Sequence, residues 1–73
     1  MRQEFWSEQA KNILKSEIKR KGFSYKALLS KLAEIGVDES YSSFTTKVNR
    51  GTFSFAFFLE CMKALGTNKV DLE

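Results

Sequence analysis

The segment Lys47-Val-Asn-Arg-Gly51 places an ammonium, a carboxamide and a guanidinium almost side by side. Such groups donate hydrogen bonds to phosphate oxygens, and Asn and Arg also read base edges. Ahead of them stand Ser42, Ser43, Thr45 and Thr46. Their small hydroxyls both give and accept hydrogen bonds. A second supply of positive charge lies upstream: Lys11, Lys15, Lys19, Arg20, Lys21, Lys26 and Lys31, against Glu17 alone. A block of that kind can track a phosphate backbone, and equally can be the solvated face of a helix. The next stretch, with Glu34, Asp38 and Glu39, is acidic, so the net charge of +3 conceals an uneven distribution.

Other chemistries find few residues to work with. The chain has no His, the commonest general acid/base and metal ligand. Its one Cys, Cys61, sits in an apolar stretch and has no imidazole to activate it. A single Cys also excludes an internal disulfide and a cysteine-rich zinc site. The carboxylates are scattered, with Asp38-Glu39 as the adjacent pair in the body of the chain, and there is no Gly-rich phosphate loop. The expectation is a chain without enzymatic activity, cofactor, metal or small-molecule substrate. The opening Met1-Arg2-Gln3-Glu4 lacks the apolar run of a signal peptide. The longest apolar patch, Phe55 to Leu59, is far short of the ~20 residues that span a bilayer. No membrane association and a cytoplasmic location are expected.

These residues must be positioned by a small domain. Seventy-three residues make one unit, expected over residues 4–66 with a short tail over 67–73. Its last two residues, Leu72-Glu73, fit a cloning scar. The absence of Pro and the four Gly favour helices over a many-stranded sheet. Trp6, Ala10, Ile13, Leu14 and Ile18 recur as one helical stripe, predicting a helix over about 4–21 that stops at Gly22. Ser24 is a good N-cap for a second helix, with Leu28, Leu29, Leu32 and Ile35 as its apolar face and Gly36 as its end. Either Asp38 or Ser40 caps a third helix over about 41–50, whose apolar stripe is only Tyr41, Phe44 and Val48.

The Phe-rich run that follows fits two templates. Phe53, Phe55, Phe57 and Leu59 alternate as in a strand. Phe55, Phe58, Leu59, Met62 and Leu65 keep helical spacing up to Gly66, which the strand leaves unexplained. Ser54 serves as the N-cap, and Phe53 with Phe58 form a hydrophobic staple. A helix is the better fit. Phe57 and Cys61 then extend its apolar face, either to complete the core or, with Phe55, to make a dimer or partner contact.

The order Leu14/Ile18, Arg20-Lys-Gly-Phe-Ser24, Leu28/Leu32, Gly36-Val37, Asn49-Arg-Gly51 and Lys63-Ala-Leu-Gly66 resembles the lambda-repressor-like, or XRE-type, helix-turn-helix domain. The Trp6 start, Gly22-Phe-Ser-Tyr25, Glu34-Ile-Gly-Val37 and Arg50 to Leu59 resemble more closely a small family of uncharacterised bacterial domains of that class. The resemblance covers Trp6 to Gly66. It implies a compact all-α bundle of four to five helices and a double-stranded DNA partner, often engaged as a homodimer in transcription regulation. It would put Ser42, Ser43, Thr45, Thr46 and Lys47 near base edges. Ser24, Tyr25 and Lys26 would meet one phosphate, and Arg50, Thr52 and Ser54 others, with Lys19, Arg20 and Lys21 adding backbone contacts. Three departures stand out. The Gly36 to Gly51 segment is about three residues longer than usual for the class, Tyr25 stands where Gln often opens the second helix, and Asn49 replaces a common Glu. Asp38 and Glu39 would repel nearby phosphates. The alternative expectation is a protein-interaction domain that keeps this architecture without binding DNA.

Overall fold

The computed structural model describes residues 3–67, so all of the expected tail except Thr67 lies outside the described residues. Four helices follow one another: α1 (Gln3–Arg20), α2 (Tyr25–Glu34), α3 (Tyr41–Arg50) and α4 (Phe55–Leu65). There is no strand among the described residues, and no fifth helix, so the upper bound of the expected four to five is not met there.

The three later helices start in the same way. A Ser in extended backbone turns its hydroxyl onto a free N–H of the first turn: Ser24 accepts from Ala27, Ser40 from Ser43 and Ser54 from Phe57, all near 3.0 Å. Each cap contributes about 1 kcal/mol. Ser40, and not Asp38, is therefore the cap of α3. Phe53 and Phe58 stack with centroids 6.3 Å apart, the expected staple across the start of α4.

Leu14, Ile18, Leu28, Leu32, Phe44, Val48, Phe57, Cys61, Met62 and Leu65 form one buried core. Phe44 is its centre, edge-on to Tyr25 at 5.1 Å and tilted against Phe57 at 5.8 Å. α2 lies mainly on α4, and α1 mainly on α3. The aromatic start of α1 does not join this core. Trp6 is 55% exposed and packs edge-on against Phe5. The next residue, Ser7, takes the inward place against Gly51, in helical register with Leu14 and Ile18, and this leaves Trp6 to one side of the buried stripe.

One charged side chain does enter. Glu17 is 5% exposed on the Leu14/Ile18 stripe. Its carboxylate accepts from the Arg20 guanidinium at 2.5 Å and, more loosely, from the Thr67 hydroxyl at 3.5 Å. A buried carboxylate needs such partners, because a lone one is costly to desolvate.

Candidate functional site

The polar side of α3 faces outward because its three apolar residues are spent on the core and on Tyr25. Phe44 and Val48 are fully buried, and Tyr41 lies 6.4 Å from the Tyr25 ring. That leaves Ser42, Ser43, Thr46, Asn49 and Arg50 exposed. Thr45 is half-buried and its hydroxyl is buried without a partner. Among the five residues that the resemblance assigned to base edges, Ser42, Ser43 and Thr46 are thus open to solvent, and Thr45 is turned partly inward.

Lys47 is the fifth, and its position is particular. A side chain on a helix leans toward the N-terminus. The long Lys47 stem follows that lean back along α3, and its ammonium meets the Glu39 carboxylate at 2.5 Å. Glu39 lies just ahead of the Ser40 cap, and its side chain is only 13% exposed while that of Lys47 is 42% exposed. The same ammonium stands 4.9 Å from the centre of the Phe57 ring, a cation–π contact. An ion pair this open stabilises the fold by no more than ~1 kcal/mol. Its larger effect is on where the charge sits.

The end of α3 and the start of α4 enclose an open groove of about 350 Å³. Thr46, Lys47 and Arg50 form one wall, Thr52 and Ser54 the other, and Phe53 and Phe57 also line it. Arg50, Thr52 and Ser54, assigned by resemblance to phosphate contacts, therefore share one recess with two of the base-edge candidates. Arg50 has no ion-pair partner among the described residues. The Ser54 hydroxyl accepts from the Phe57 N–H and so serves the helix first.

Of the remaining backbone candidates, Tyr25 and its neighbours lie by the other end of α3. Tyr25 opens α2 beside Tyr41, with exposed Ser24 and Lys26 flanking it. Burial, and then the neighbouring Tyr41, raise the Tyr25 phenol above its ordinary value. Lys19 and Arg20 end α1, Lys21 follows in the turn, and all three are exposed. Arg20 is tied to Glu17, whereas Lys19 and Lys21 have no ion-pair partner among the described residues.

The proposed contact trio divides. Phe55 is 72% exposed, whereas Phe57 and Cys61 are buried in the core. Burial pushes the Cys61 thiol up to about 12, with Glu60 and Glu39 adding to the effect and Lys47 opposing it. It is a packing residue. Leu59, one turn from Phe55, was expected with it on the apolar stripe of α4, but that stripe is rotated toward Phe57 and Cys61 and Leu59 is half exposed. Glu39 as the partner of Lys47 was missed. Its eight-residue separation matches no within-helix pairing rule.

The described residues hold no cluster of potential metal ligands, and no described helix is long and apolar enough to cross a membrane. Four short helices on one core, with a polar third helix, define a small all-α domain. A family model described as Domain of unknown function (DUF6471) matches residues 6–70. The chain belongs to that family. No curated protein and no solved structure matches it.

Proposed function

We propose that the chain is a DNA-binding module of the XRE-type helix-turn-helix class, acting as a small bacterial transcription regulator. The observation that carries this reading is the outer face of α3, which is polar and exposed and ends in the groove at Arg50, a cation with no ion-pair partner among the described residues. Ser24 to Lys26 stand at its start, and the groove with Lys47 and Arg50 at its end. On this reading α3 lies in the major groove, and the two flanks hold phosphates of the backbone. Ser and Thr read bases ambiguously, so affinity comes mostly from phosphate contacts and specificity is modest.

An amide chemical-shift titration with a short mixed-sequence duplex tests it, at low and at physiological salt. The expected result is shifts at residues 24–26 and 42–54 that weaken steeply as salt rises. Absence of shifts at low salt overturns the reading. A second reading, a protein-interaction domain, is favoured by one observation: Phe55 and Leu59 expose apolar surface one turn apart on α4. A partner bound there would shift residues 55–59 and leave α3 unchanged.

A further inference from the structure

One cation beside the candidate DNA face is not free. Lys47 contributes to the groove between α3 and α4, yet its ammonium is held at 2.5 Å by Glu39 and lies over the Phe57 ring. Glu39 is the better buried partner, and its backbone is fixed next to the Ser40 cap. The carboxylate is therefore anchored, and the Lys47 stem is the mobile half of the pair. Arg50, in the same groove, has no such counter-charge among the described residues.

We propose that Glu39 is a built-in competitor for phosphate: it occupies Lys47, and a DNA phosphate must take the ammonium from it. The inference rests on the DNA-binding reading of this groove. Its consequence is that the wild-type domain binds DNA more weakly than its cation count implies. Lys47 contributes little to counterion release while Glu39 cancels its charge. Removing the charge of Glu39 frees one phosphate contact. Asp38 is the natural control, because it is acidic, adjacent and exposed, and makes no ion pair among the described residues.

The test is fluorescence anisotropy of a labelled mixed-sequence duplex, titrated with the whole chain over a series of salt concentrations. Glu39→Gln is expected to tighten binding about fivefold at low salt. It should also steepen the logarithmic salt slope by about one, the change assigned to one Lys–phosphate contact. Asp38→Asn should give a smaller gain with little change in slope, and in a Lys47→Met background the gain from Glu39→Gln should vanish. If Glu39→Gln folds poorly by circular dichroism, Glu39→Ala, which also removes the carboxylate, should show the same gain and the same steeper slope. The proposal is overturned if the wild type binds but Glu39→Gln gains no more than Asp38→Asn, or if its gain survives loss of Lys47. If neither the wild type nor the Glu39 variants bind at low salt, the DNA-binding reading falls, and this proposal with it.

Discussion

Gly51 and Gly66 end consecutive helices with nearly the same left-handed backbone, φ 69° and φ 77°. Their surroundings have little in common. After Gly66 the chain closes as a Schellman turn, with the Thr67 N–H donating to the Met62 carbonyl at 3.0 Å. Gly22 and Gly36 close likewise, through Phe23 to Ile18 and Val37 to Leu32. Gly51 makes no such six-residue bond; its own N–H is shared between the Lys47 and Val48 carbonyls. The chain leaves α3 on a different path, and Gly51 is buried. A Cβ there would lie 2.0 Å from the Ser7 carbonyl oxygen of α1, whereas a Cβ at Gly66 would meet nothing within 4 Å. One Gly merely stops a helix. The other lets two backbones touch, and so fixes where the end of α3, and with it Arg50 and the groove, sits against α1.

The sharpest way to break this comparison is to add the methyl group. Gly51→Ala carries the left-handed penalty of about 1–2 kcal/mol and an overpacking cost of about 1–3 kcal/mol against rigid backbone. The expected loss is about 3 kcal/mol or more, a large share of what so small a core supplies. Gly66→Ala carries only the first cost. Urea melts followed by far-UV circular dichroism give both numbers. Equal losses in the two variants would mean that α1 yields easily, and that the contact with Ser7 positions nothing.

The same pair shows what was legible in the sequence. Every helix stop was readable, and so were the starts of α2 and α4, because a Ser cap, a Gly stop or a staple acts within a few residues of itself; at the start of α3 the sequence admits either Asp38 or Ser40. Ser24, Ser54, Gly22, Gly36 and the Phe53/Phe58 pair are all of this kind. Gly51 was readable as a stop but not as a contact, because the contact depends on how α1 is laid across α3. Glu39 with Lys47 joins a loop to a helix. Trp6 opened the expected stripe, but the smaller Ser7 beside it takes the inward place, because the α3 backbone comes too close there for a large side chain. Glu17 lay on the inward period with Leu14 and Ile18, so its burial had a signal; its charge argued the other way. The polar face of α3 was readable as a thin apolar stripe. The groove beside it was not, since it forms between two elements.

Between those two glycines, the body of α4 holds its place through what it buries, and Cys61 gives a way to measure that. Its thiol is pushed from an ordinary 9.0 up to about 12, first by burial. The native state thus keeps a proton that the unfolded chain gives up. Stability is whole below about pH 9 and falls as pH rises toward 12, with a limiting slope of about 1.4 kcal/mol per pH unit. Tyr25, also raised, adds a loss of the same sign at higher pH. Cys61→Ala should flatten the slope in the lower part of that window, whatever its own cost in packing. A slope unchanged by the substitution would assign the alkaline loss to Tyr25 and other groups, and would mean that the thiol is reached by water.

The smallest effects concern two hydroxyls, on the helices that Gly51 brings together. Ser7 Oγ in α1 and Thr45 Oγ1 in α3 are buried with no hydrogen-bond partner. An unsatisfied buried hydroxyl costs about 1–3 kcal/mol. Thr45→Val keeps the shape and removes the polar atom, and Val and Thr have similar helix propensity. It should raise stability by about 1 kcal/mol. Ser7→Ala should gain a similar amount, helped by the better propensity of Ala. Neither touches the Ser7 carbonyl, so Gly51→Ala should remain as costly in the Ser7→Ala background, which locates the close contact in the backbone and not in the side chain. Thermal melts of the single and double variants decide it. If Thr45→Val instead lowers stability, the hydroxyl has a partner in solution, water or the carbonyl one turn back. The inward half of α3 would then be wetter than its packing against α1 implies, and the contact that sets apart the Gly51 end of the helix would be confined to that single turn.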